Sequence, residues 1–156
     1  MSADKAQTHN ALAPTVLVVD DNKDMVEILT RLLSRHGLHA LYAYSGRECL
    51  DIVQQHPVDV IVLDVMMPGM NGLEVCEALR ATATPPPVIL LTAKDDMATR
   101  AAGMALGVSE FVVKPVNNRD LLARIKTQLS TRQWEREIDR TSASMDPNGK
   151  PSKPDK

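Results

Sequence analysis

Short apolar runs alternate along this chain with stretches whose apolar positions recur at helical spacing. TVLVVD (15–20) stays apolar until its last residue, as a strand covered on both faces should. Behind it Met25, Ile28, Leu29, Leu32 and Leu33 fall at i, i+3, i+4, i+7 and i+8, which predicts one apolar helix face, stopped at Gly37. LHALYAY (38–44) reads as a second strand. Ser45 and Glu48 have the spacing of a capping box, followed by Cys49, Ile52 and Val53 on one helical face. VDVIVLD (58–64) is the third strand. Asn71 and Glu74 open the next helix, with Leu73, Val75, Cys76 and Leu79 inward and the Pro85–Pro87 run breaking it. VILLT (88–92) is strand four, followed by a helix capped by Asp95 and running to about Leu106, with Gly107 ending it. SEFVVK (109–114) is strand five, and Leu121, Leu122, Ile125 and Leu129 line a last helix.

Five strand-then-helix units predict an α/β fold: a doubly wound, five-stranded parallel sheet of flavodoxin-like type, with helices on both faces. Residues 1–14 read as a flexible leader and 15–130 as the folded domain. Residues 131–156 read as an extension of the last helix through Trp134 and Ile138, with a disordered Ser-, Pro-, Lys- and Asp-rich tail from Arg140. The 156 residues are 44% hydrophobic and 24% charged, enough for one core without disulfide or structural-metal support. A formal charge of −2 gives no electrostatic case for nucleic acid or an anionic membrane surface. The apolar runs are all far shorter than the roughly 18 residues of a membrane span, and no signal peptide is legible. Cys49 and Cys76 sit in helical patterns and read as small hydrophobes, which suits a reducing cytoplasm.

The chemistry lies where the apolar runs stop. They end at Asp20 and Asp21, at Asp64, at Thr92 and at Lys114 followed by Pro115. In an open parallel sheet the functional crevice lies beyond the carboxyl ends of the strands, so the sheet would bring these five side chains together although they span more than 90 positions. Three acids crowded together favour a cation. Oxygen donors of this kind suit Mg2+, and Mn2+ would also fit. With the acids neutralised, one carboxylate can act as a nucleophile toward phosphorus, while Lys114 and Thr92 hold the phosphoryl oxygens.

VVDDN (18–22), LDVMMPGMNG (63–72), LTA (91–93) and FVVKP (111–115), in this order and at this spacing, resemble the receiver domain of two-component response regulators over residues 15–130. The resemblance implies a receiver fold and a role for each matching residue. Asp64 would accept a phosphoryl group from a sensor histidine kinase or a phosphotransfer protein. Asp20, Asp21, Asp64 and the main-chain carbonyl of Met66 would hold Mg2+. Thr92 and Lys114 would bind the phosphoryl group, Thr92 and Phe111 would form the switch, and the Lys114–Pro115 bond would be cis. A downstream protein would read the face of the fourth helix, fifth strand and fifth helix, with no nucleic acid or membrane partner. The chain would be a monomer or weak dimer that catalyses only its own phosphorylation and dephosphorylation. It would be a chemotaxis-type, stand-alone receiver. The alternatives are the receiver half of a truncated multidomain regulator and a scaffold that keeps the fold without phosphorylation.

Taken singly, each residue has a plainer reading. Asp20 and Asp21 could be helix N-terminal acids, Asp64 a turn acid before Pro68-Gly69, Lys114 a solvated lysine and Phe111 a core aromatic. Their joint spacing is what favours chemistry. An aspartate-nucleophile phosphatase is disfavoured because its nucleophile follows the first strand with a second Asp two residues on, whereas Asp64 is followed two residues later by Met66. A flavodoxin-like nucleotide binder is disfavoured because DDNKDM is acidic where a phosphate-cradling loop belongs. Met66 and Lys94, two residues beyond Asp64 and Thr92, are expected at the rim, where they would crowd the water that hydrolyses the phosphorylated state.

Overall fold

A computed structural model describes residues 13–143, and for 133–143 the helical backbone alone. The expected leader and tail fall largely on residues 1–12 and 144–156, outside the described residues. The order of elements is β1 (Thr15–Val19), α1 (Lys23–Arg35), β2 (His39–Ala43), α2 (Gly46–Gln55), β3 (Val60–Asp64), α3 (Gly72–Leu79), β4 (Val88–Thr92), α4 (Met97–Ala105), β5 (Glu110–Val113) and α5 (Asn118–Ala143). The five strands form one parallel sheet in the order β2-β1-β3-β4-β5. This is the doubly wound, flavodoxin-like arrangement expected.

β1, β3 and β4 are buried along their whole length, which is why their sequences show no polar alternation. Successive side chains enter opposite layers. Val16, Val18, Val60, Val62, Ile89 and Leu91 pack with α1 and α5. Leu17, Val19, Ile61, Leu63 and Leu90 pack with α2 and α3. An unexpected acid fixes the register at the amino edge. Asp59 is buried, its Oδ2 accepts from the Thr15 amide at 2.8 Å, and its own amide donates to the Thr15 carbonyl at 2.8 Å. A lone acid inside the apolar run VDVIVLD was the available signal.

Helix ends follow local chemistry, with three corrections. The Asn71–Glu74 capping box is reciprocal, as its spacing predicts. At α2, Ser45 Oγ accepts from the Glu48 amide, but Glu48 Oε1 reaches past the cap to the Tyr44 amide, so the box is not closed. The α4 cap is Asp96, not Asp95: Asp96 Oδ1 accepts from the Thr99 amide at 3.0 Å. α3 stops at Leu79, before the prolines, because Leu79 is its last buried position and residues 80–82 close in tight turns. Gly37 and Gly107 take positive φ just after α1 and α4, the conformation that ends a helix most cheaply with glycine.

A fourth correction concerns the inward face of α1. Val26, Leu29 and Leu33 are buried, while Ile28 is 53% exposed. At 3.6 residues per turn, Ile28 projects roughly 130° from the centre of the buried triad. Periodicity alone could not choose between overlapping apolar stripes. α5 is longer than its apolar face, since its helical backbone continues past Arg140, where a disordered tail was expected, to Ala143. Leu121, Leu122, Ile125 and Leu129 are buried as predicted. Glu110 at the start of β5 ties the helix down, accepting from Arg124 Nη1 at 2.6 Å and Gln128 Nε2 at 2.8 Å.

Candidate functional site

β1 and β3 are neighbours in the sheet, with Val19 paired to Leu63. Asp20 therefore leaves β1 beside Asp64, the last residue of β3. Carboxylate oxygens of Asp20, Asp21 and Asp64 all lie within 4.8 Å of one another. Asp20 and Asp64 are each 2% exposed, whereas Asp21 faces solvent, so the cluster has a buried floor and an open mouth. From β5, Lys114 reaches across β4 to place Nζ 2.7 Å from Asp64 Oδ1. The Lys114–Pro115 bond is cis, and the Lys114 amide donates to the Thr92 carbonyl at 2.8 Å.

The backbone is shaped around these groups. The Asn22 amide donates to Asp20 Oδ1 at 2.9 Å, and Asn22 Oδ1 in turn caps α1 through the Met25 amide. The Met66 amide donates to Asp64 Oδ1 at 3.3 Å, which holds the Met66 backbone against that carboxylate. Gly72 opens α3 directly behind the site. A Cβ there would lie 2.8 Å from the Asp64 carbonyl oxygen and from Val65 Cα, so only glycine lets the helix start this close to the end of β3.

Burial pushes the Asp20 carboxyl up to about 6, and the nearby Asp64 charge adds to this against the opposing Asn22 amide and Lys114 ammonium. A buried acid raised in this way, among two other acids and one lysine, is under-compensated in charge. An oxygen-loving divalent cation fits that donor set. Thr92 is 1% exposed and its Oγ1 has no hydrogen-bond partner among the described residues. A buried hydroxyl left in that condition costs about 1–3 kcal/mol, which is tolerable where it is to donate to an incoming acceptor.

Asp20, Asp21, Asp64 and Lys114 therefore meet at one edge of the sheet, the edge at which Thr92 ends β4. Phe111 stands apart from them. Its half-buried ring packs over Gly103 of α4 and beside Leu90, in the opposite layer from α1 and α5. Met66 is 71% exposed and Lys94 is exposed, as expected of rim positions. Sequence reasoning missed Gly103 as the floor under Phe111, since nothing in a helical pattern says which neighbour a small residue admits.

A five-stranded doubly wound sheet with carboxylates and a lysine at its carboxyl edge defines a receiver-type signalling domain. The chain belongs to the response regulator receiver domain family, which it matches over residues 16–126. It is 43% identical over 114 residues to the response regulator MprA of Mycolicibacterium vanbaalenii, an alignment covering 73% of this chain and 49% of that protein. The chain thus spans about half the length of that relative. Among solved structures it is similar to the receiver domain of the Francisella response regulator 1452, with a TM-score of 0.71 and 30% identity, covering 76% of this chain and 98% of that one. It is also similar to the chemotaxis protein CheY4 of Vibrio cholerae, with a TM-score of 0.71 and 32% identity, covering 75% and 99%. Receiver domains of two-component response regulators are signalling domains rather than typical enzymes. They bind Mg2+ in an acidic site and interact with histidine kinases or phosphotransfer proteins. No helix among the described residues is long and apolar enough to cross a membrane.

Proposed function

We propose that this chain is a phosphorylation-controlled receiver, with residues 15–130 as the working unit and Asp64 as the phosphoacceptor. The observation that carries this reading is the convergence of Asp20, Asp21 and Asp64 with Lys114 Nζ, 2.7 Å from the Asp64 carboxylate. An Asp64 oxygen attacks phosphorus in line. The bond from phosphorus to the donor histidine nitrogen breaks, and the imidazole departs with the electron pair and takes up a proton. Lys114, already against the carboxylate, moves its ammonium onto a phosphoryl oxygen, and the Thr92 hydroxyl donates to another. Asp20, Asp21, Asp64 and the Met66 main-chain carbonyl would hold Mg2+, which neutralises charge building on the transferred group. The protein would catalyse only the gain and loss of its own phosphoryl group.

Phosphorylation adds roughly −1.5 to −2 of charge and three acceptor oxygens beside Thr92. Thr92 closes onto them and draws the β4–α4 connection with it, and Phe111 repacks against α4. The partner reads the face of α4, β5 and α5, where Met97 and Met104, seven residues apart on one side of α4, are 68% and 69% exposed. The two free, buried cysteines suit a reducing cytoplasm.

The test is incubation with acetyl phosphate and Mg2+, followed by intact mass. We expect a single added phosphoryl group on the wild type, and none on Asp64→Asn or in the presence of EDTA. A wild type that stays unlabelled while Mg2+ binds would instead make the fold a non-phosphorylated scaffold.

A further inference from the structure

A cleft of about 340 Å3 opens at the end of the sheet opposite the acidic cluster, where β4 and β5 begin. Its apolar wall is made by Pro86, Val88, Leu106 and Val108. Two arginines line the cleft with that wall: Arg80, just past α3, and Arg132 on α5. Arg132 Nη1 donates to the Pro85 carbonyl at 3.2 Å. Its Nε is buried and has no hydrogen-bond partner among the described residues. Arg80 is exposed and pairs with no acid among the described residues. No carboxylate is among the described residues that line the cleft. Gln128, at its edge, is bonded to Glu110, whose charge is met by Arg124 at 2.6 Å.

We propose that this cleft binds a small organic anion, a carboxylate or phosphate ester on a flat apolar body. The volume lies in the range of small-ligand sites, and the combination of an apolar wall with a few convergent polar groups is their usual make-up. A guanidinium presents its donors in a plane that matches a carboxylate or phosphate, so a turn of the Arg132 side chain that brings its buried Nε–H to the cleft would let a ligand oxygen fill the bond it lacks. Arg80, which also lines the cleft, supplies the second positive charge, and Ser109 and Thr131 line it with hydroxyls to orient the body. Phosphorylation chemistry is not involved, because the acidic cluster occupies the other edge of the sheet.

The experiment is an amide and Arg side-chain NMR titration of the full, unphosphorylated chain. The probes are benzoate, its neutral isostere benzyl alcohol, and inorganic phosphate as an anion without an apolar body. We expect saturable benzoate shifts at Gly107, Val108, Ser109 and the Arg132 Nε–H, no comparable response to benzyl alcohol, and weaker binding of phosphate. Arg132→Gln should weaken benzoate at least about tenfold, the cost of one charge-assisted bond. The exposed Arg80→Gln, which leaves the packing untouched, should weaken it less but measurably. A silent benzoate titration, wild-type affinity in both variants, equal response to benzyl alcohol, or shifts centred on Asp64 and Lys114 would each overturn the proposal.

Discussion

Asp20 is the acid of the cluster whose titration is clearly displaced, and that displacement should be measurable in two ways. Its carboxyl is pushed from the ordinary 3.8 up to about 6, first by burial. The folded state therefore holds this proton more tightly than the unfolded chain. The contribution is fully present below about pH 4 and is lost as pH rises through about 6. A shift of about two units corresponds to roughly 3 kcal/mol against the metal-free fold at neutral pH. Asp20→Asn, which keeps an oxygen for the Asn22 amide, should raise metal-free stability at pH 7 by up to that amount while weakening Mg2+. Urea unfolding in EDTA across pH 4–7 checks this, and an unchanged slope between 4 and 6 would refute it. In the wild type, Mg2+ affinity should fall by up to about tenfold per pH unit below 6, because the proton and the cation compete for one carboxylate. At the rim, Met66→Ala and Lys94→Ala should each speed the decay of phospho-Asp64 severalfold by opening the path of water. Equal decay rates in wild type and both variants would remove that role.

The contact between α4 and β5 rests on one small residue. A Cβ on Gly103 would stand 2.9 Å from Phe111 Cε1 and 3.1 Å from Cζ. Two effects oppose each other in Gly103→Ala. Helix propensity alone favours alanine by about 1 kcal/mol, and overpacking disfavours it by about 1–3 kcal/mol. The wall is an aromatic ring packed against Leu90 rather than the loose end of a long side chain, so we expect net destabilisation. Combining it with Phe111→Ala should recover the helical gain, and a double-mutant cycle in denaturant measures the coupling. Additive effects would mean that the ring moves aside at no cost. The elements themselves were largely legible in the sequence. The runs at 15–20, 58–64 and 88–92 are strands because burial on both faces leaves no place for polar alternation. The Asn71–Glu74 cap closed as its spacing predicts. Ile28 and Asp95 were misread for a shared reason: an adjacent residue offered nearly the same local pattern, and the choice between them was made by packing.

Within the layer of α2 and α3, the thiols report how tightly the molecule is closed. Cys49 on α2 and Cys76 on α3 are free and buried, and burial pushes them up to about 12 and about 11, with Cys76 adding to the effect on Cys49. At pH 8 about one Cys76 in a thousand would be thiolate, and still fewer Cys49. Reaction with a disulfide reagent should therefore run only as fast as the fold opens, with both thiols appearing together in urea. Fast labelling of Cys49 in the native protein would show that the α2–α3 layer is loose, whereas Cys76 also borders the cleft beside Arg80. The topology also separates two sites. Crossovers deliver Asp20, Asp64, Thr92 and Lys114 to one edge, while the return path of α5 brings Arg132 to the other, against the Pro85 carbonyl.

The order of amino acids settled where each strand stops and which polar residue stands there, because a run buried on both faces must end in something water or an ion can satisfy. It settled the starts of α2, α3 and α4 to within a residue, since caps act through their own nearest amides. The three-dimensional arrangement settled which side of each helix is covered, that β1 lies between β2 and β3 so that Asp20 meets Asp64, and that Gly103 underlies Phe111. It also brought Arg80 and Arg132, 52 positions apart in the chain, to one cleft. Those are contacts between residues far apart in sequence, fixed by competition among whole packed surfaces, and local spacing carries no trace of that competition.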